Sequence, residues 1–117
     1  MMANSESAQK RAQEAFAAAK NITCDRKKYA AYVKKFPAYI TTNGLAATLA
    51  FALQKGGEYA EIAKQLHERL KHCHICTEQN YNGFMEWLLD QNSDVYRRAT
   101  AEVLAYLEWL RRFAREE

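Results

Sequence analysis

The sequence predicts an all-α protein, a compact single-domain bundle of five to six helices. Three observations carry that prediction. Turn formers are scarce, with four Gly and one Pro in 117 residues. Apolar residues recur at intervals of three and four through most of the chain, which is the spacing of one helix face. No alternating apolar–polar run of useful length appears, so strands are not expected. The balance of 49% apolar and 26% charged residues suits an ordinary globular domain. A chain of this length can bury a sizeable core.

The elements follow from local signals. Residues 1–4 are expected to be disordered, and 5–117 to form the single domain. A first helix is expected from about Ser5 to Lys20, with Ala8, Ala12, Ala15, Phe16 and Ala19 on one side. Asp25 is a suitable N-cap for a second helix. Tyr29, Val33, Phe36 and Ile40 make its apolar stripe, and Lys27, Lys28, Lys34 and Lys35 lie on the other side. Pro37 removes the amide that would bond back to Val33, so a kink, or a break and restart, is expected. Asn43-Gly44 reads as a tight corner. "LAATLAFAL" carries no charge. It is expected to form a third helix, Leu45 to Lys55, at the centre of the bundle.

Gly56-Gly57 is the next stop. A fourth helix is expected from Glu58 to Cys73, with Tyr59, Ile62, Ala63, Leu66, Leu70 and Cys73 inward. "TEQNYNG", Thr77 to Gly83, reads as a loop, and "FMEWLLD" as a short fifth helix. Ser93 or Asn92 is the candidate N-cap of the last helix, Asp94 to Arg115. Tyr96, Ala99, Val103, Tyr106, Leu107, Leu110, Phe113 and Ala114 keep its three-four rhythm for about five turns.

Composition narrows the function. The formal charge of +3 permits nucleic-acid contact without demanding it. No apolar run is long enough to span a bilayer, and the N-terminal stretch lacks the apolar core of a signal peptide. Three cysteines are too few for a disulfide scaffold, so a reducing, cytoplasmic setting is expected.

"HCHIC", His72 to Cys76, is the most conspicuous chemical motif. Zinc needs four converging ligands, and no second CxxC or HxxxH completes the set. The segment therefore reads as a helix terminus, with histidines near the last carbonyls and cysteines as small apolar fillers. No metal and no cofactor is expected. No GxSxG, P-loop or HExxH occurs, and the three aspartates are scattered. A catalytic role is not expected.

The basic residues say more. Arg97 and Arg115 are five full turns apart on the last helix and share a line. Arg111 and Arg112 flank it, and Arg98 sits to one side. The row spans about 27 Å. Arginine grips phosphate with two parallel hydrogen bonds, and such a row suits a nucleic-acid backbone. The lysine face of the second helix is another candidate. Against this stands the ordinary role of such residues, a solvated helix face. Glu108 lies within the arginine row and Glu102 nearby, so part of the charge is open to internal pairing. Tyr29, Tyr32 and Tyr39 are either base-stacking groups or core.

Two segments carry a resemblance. "YAAYVKKFPAYITTNGLAATLAF" (Tyr29 to Phe51) and "YRRATAEVLAYLEWLRRFA" (Tyr96 to Ala114) resemble the small subunit of the type III-B CRISPR effector, the Cmr complex. The match between them, Gly56 to Asn92, is looser and contains the His72–Cys76 motif. The resemblance implies a compact helical, non-catalytic subunit. Such subunits stack as a minor filament beside the backbone subunits and help bind the guide RNA–target RNA duplex in antiviral defence. The implied partners are the backbone and large subunits, further copies of the chain, and guide and target RNA, with no membrane. By match, Lys34, Lys35, Arg111 and Arg112 are the RNA-facing or neighbour-facing residues. Charge geometry alone adds Lys27, Lys28, Arg97 and Arg98. The alternative is a helical protein–protein adaptor without nucleic-acid contact. A metal-dependent enzyme built on the His/Cys cluster is a remote third.

Overall fold

The computed structural model describes residues 2–114, and side chains from residue 8 to 114. Residue 1 and Arg115, both part of the expectations above, lie outside the described residues. Six helices succeed one another: α1 (Met2–Lys20), α2 (Arg26–Asn43), α3 (Leu45–Lys55), α4 (Gly57–His72), α5 (Tyr81–Leu89) and α6 (Ser93–Phe113). No strand occurs among the described residues. The fold is an all-α single domain, with α1 packed along α6 and α4 touching every other helix.

The caps explain where helices begin. The Asp25 carboxylate accepts from Lys28 N, Asn80 from Gly83 N and Asn92 from Val95 N. Each satisfies an amide that has no partner within its own helix. Asn80 starts α5 three residues earlier than "FMEWLLD" suggested, so the loop is 73–80. Of the two candidates for α6, Asn92 is the cap.

Pro37 does not break α2, which continues to Asn43. An interior proline costs about 3 kcal/mol. Val33 and Phe36 before it and Ile40 after it are buried, and each contributes about 1.5–3 kcal/mol by burial. Packing on both sides of the proline thus outweighs the lost hydrogen bond.

The expected stop lies instead at Gly44, where φ is 91° and ψ 159°. That region is essentially reserved for glycine. Gly44 ends α2 by donating to Ile40 O, and its own carbonyl accepts from Thr48 N and from the Thr48 hydroxyl. One residue serves as the last cap of α2 and the first of α3. Having no side chain, Gly44 leaves another α3 amide to Tyr96 of α6, whose hydroxyl accepts from Ala46 N at 2.8 Å. Gly56 repeats the device between α3 and α4, with φ 75° and ψ −166°.

Two expectations about burial are corrected. α3 is not the centre of the bundle. It buries Leu45, Thr48, Leu49 and Ala52, while Phe51 and Leu53 stay 45% and 41% exposed. The central helix is α4, which buries Tyr59, Ile62, Ala63, Leu66, His67, Arg69 and Leu70. In α1, Ala15 and Ala19 face inward as expected, but Phe16 is 54% exposed. Its ring instead meets Phe113 edge-on, with centres 5.2 Å apart.

A charged residue reaches the centre because it is fully partnered. Arg69 donates through Nη1 to Glu14 of α1 at 2.8 Å and through Nε to Glu102 of α6 at 2.9 Å. Arg11 grips the same Glu102 with two hydrogen bonds of 2.7 and 2.8 Å. His72 closes the chain, with Nδ1 2.7 Å from Glu14. Burial opposes ionisation of Glu102, yet Arg11 and Arg69 prevail and hold its carboxyl below the usual carboxylate range. The network ties α1, α4 and α6 together. No buried side-chain nitrogen or oxygen among the described residues lacks a hydrogen-bond partner.

His67 is the other buried polar group of α4. Its ring stacks on Phe84 at 4.3 Å. Nε2 donates to the Glu78 carbonyl at 2.8 Å, an acceptor that fixes which nitrogen carries the proton. Burial lowers its pKa below 6.5 despite that bond. A group with a depressed folded pKa contributes stability that is complete above its unfolded pKa and lost as pH falls through the folded one. Thermal unfolding should therefore show Tm declining as pH drops below about 6.5, well before the carboxylates titrate. That acid-side decline should disappear in His67→Gln. A Tm flat from pH 7 to 5 in the parent protein would contradict it.

Candidate nucleic-acid interface

All eight candidate basic residues are exposed, but they form two groups of different character. On α2, Lys27, Lys28, Lys34 and Lys35 stand opposite the buried stripe of Tyr29, Val33, Phe36 and Ile40. Helix geometry places them there, since residues three, four and seven apart share a face. Among the described residues no carboxylate lies within ion-pair distance of any of the four. Asp25, the nearest acid in sequence, spends its carboxylate on capping the helix. Lys35 has its ammonium 5.9 Å from the centre of the Tyr32 ring.

On α6 the arginines are partly answered by acids of their own helix. Glu108 accepts from Arg111 at 3.0 Å and lies 3.9 Å from Arg112. Asp94 lies 3.8 Å from Arg97. The Arg111 hydrogen bond and charge hold the Glu108 carboxyl below its usual range. Exposed pairs of this kind contribute little to stability, but they reduce the positive field. Arg98 is exposed beside Ala101 and Glu102. Glu102, by contrast, turns inward to Arg11 and Arg69 and does not neutralise the α6 row. Arg112 also covers Trp109, at 5.4 Å from the ring centre.

Of the three tyrosines considered for stacking, Tyr29 is fully buried and donates its hydroxyl to Gln65, so it is core. Tyr32 and Tyr39 are half-buried on α2.

The His72–Cys76 motif forms the end of α4. His74 takes the left-handed conformation, φ 64°. His74 N donates to Lys71 O and Ile75 N to Leu70 O, both at 3.0 Å. These are the two bonds of a Schellman turn, with histidine where glycine is usual. Cys76 is buried, and burial pushes the thiols of Cys73 and Cys76 up in pKa, away from the thiolate that metal binding or redox chemistry requires. Among the described residues no three His, Cys, Asp or Glu side chains converge as a metal site would need. The left-handed His74 was not legible in the sequence, because nothing short of the turn itself distinguishes it from a helical residue.

The fold and these surfaces define a small helical-bundle protein with a lysine face on one helix, without an ion-pair partner among the described residues, and an arginine row on another. No described helix is long and apolar enough to cross a membrane. Residues 7–117 match the family model of the CRISPR-associated protein Cas_Cmr5, and the chain belongs to that family, the small subunits of the type III-B CRISPR complex. The match extends through the 56–92 region, where the resemblance read from the sequence was loose.

Proposed function

We propose that the chain is a non-catalytic subunit of the Cmr effector that stacks with further copies of itself as a minor filament and helps hold the guide RNA–target RNA duplex. In this reading the α2 lysines face RNA. The observation that carries it is the difference between the two basic surfaces: among the described residues no carboxylate lies within ion-pair distance of Lys27, Lys28, Lys34 or Lys35, whereas on α6 Arg97 is paired with Asp94 and Arg111 and Arg112 share Glu108, which leaves only Arg98 of the four without an acid. Four unpaired ammonium groups on one face have the field a polyanion requires. The α6 arginines, on a helix whose Trp109 and Phe113 are only half-buried, serve contact with a neighbouring protein subunit.

Reversing Lys34 and Lys35 to Glu tests the assignment in the assembled complex. Both side chains are exposed, so the fold is unaffected. Duplex affinity should fall about tenfold at low salt, and the slope of log affinity against log salt should drop by about one per lysine. Unchanged affinity and slope would refute the lysine assignment. Loss of the subunit from the complex with an unchanged slope would favour an adaptor that touches only protein.

A further inference from the structure

Lysines and tyrosines alternate along one edge of α2. Lys28, Tyr32, Lys35 and Tyr39 follow at intervals of four, three and four residues, which aligns them on one side of a helix. The lysines are exposed and the tyrosines half-buried. At the Tyr39 end this ridge runs into a pocket of about 360 Å³ between α2 and α3, lined by Tyr39, Asn43, Ala47, Thr48 and Phe51. Tyr39 and Phe51 meet there edge to face, with ring centres 6.1 Å apart. Phe51 is 45% exposed. The Asn43 side chain bonds to no other described residue, which leaves its amide donor and carbonyl acceptor for a ligand.

We propose that this pocket takes an unpaired nucleobase, stacked on Phe51 and Tyr39 and met at its edge by Asn43, from an RNA strand whose phosphates follow Lys28 and Lys35. The proposal rests on the reading of α2 as the RNA-facing helix and adds to it a contact with a base. A paired nucleotide does not fit this role, because the bases of an A-form duplex are stacked inside the helix and present no open face. Aromatic rings interleaved with cations are the usual platform for single-stranded nucleic acid, and stacking on them tolerates any base. Cations beside the pocket favour a polyanion over an apolar protein side chain.

The experiment uses the assembled complex and RNA carrying 4-thiouridine at an unpaired position, irradiated in the near ultraviolet. Cross-links should map to the peptide containing Tyr39 or Phe51. Phe51→Ala, a change at an exposed side chain, should abolish them. It should also weaken binding of RNA with an unpaired nucleotide by roughly fivefold or more, while affinity for the fully paired duplex and its salt slope stay unchanged. If Phe51→Ala changes neither cross-link yield nor affinity while Lys34→Glu/Lys35→Glu weakens binding, the pocket proposal fails and the reading of α2 survives. If neither variant has an effect, both fail. If Phe51→Ala releases the chain from the complex, the pocket holds a protein side chain and the proposal is overturned.

Discussion

Arg69→Met should destabilise the protein by about 3 kcal/mol, the lower end of what removing one partner of a buried ion pair costs. The Arg69 side chain is only 5% exposed and joins Glu14 to Glu102. Methionine fills much of the volume but leaves two carboxylates facing an apolar group. The loss stays at the lower end because each acid keeps a second partner, His72 for Glu14 and Arg11 for Glu102. Urea unfolding should show a lower midpoint with an unchanged m-value. Adding Glu102→Leu should recover part of the loss, since an apolar replacement of a buried pair is often neutral. A single variant within about 0.5 kcal/mol of the parent, the range of ordinary surface changes, would mean that the network contributes nothing net.

The second large effect is expected at the corner between α2 and α3. Gly44→Ala forces a side chain into φ 91°, ψ 159°, at about 1–3 kcal/mol. Its Cβ would also stand 3.4 Å from the Tyr96 hydroxyl, which caps Ala46 N. The total should approach about 3 kcal/mol, since loss of a capping bond adds about 1. Gly56→Ala is the internal control. Its backbone is equally unusual, but a Cβ there meets nothing within 4 Å, so it should cost less. The difference between the two should vanish when both are measured in a Tyr96→Phe background. Equal losses in the parent background would remove Tyr96 from the account of this corner.

The helices with a single apolar stripe were readable from sequence. In α2 and α6 the three-four rhythm identified side chains that are in fact buried, Tyr29 to Ile40 and Ala99 to Leu110. Period alone determines which side faces in when the other side is charged. It failed for α3, where the missing charges removed the contrast between sides and suggested complete burial. For α4 the period identified the inward stripe of Tyr59, Ile62, Ala63, Leu66 and Leu70, but not the burial of His67 and Arg69 beside it. The partners that let Arg69 go inside are 55 and 33 residues away in sequence, beyond the reach of any local pattern. The candidate site was legible as residue types on a face, because a helix converts spacing into direction. Which face is free of acids was not, since Glu108 and Glu102 look alike in sequence and differ only in the direction they turn.

The single-glycine corners fix the phase of the bundle. α3 has 11 residues between Gly44 and Gly56, with no slack at either end. One residue inserted in it would rotate α4 by about 100° and carry Arg69 away from both acids. Changes in chain length must therefore be absorbed outside the run from one corner to the other.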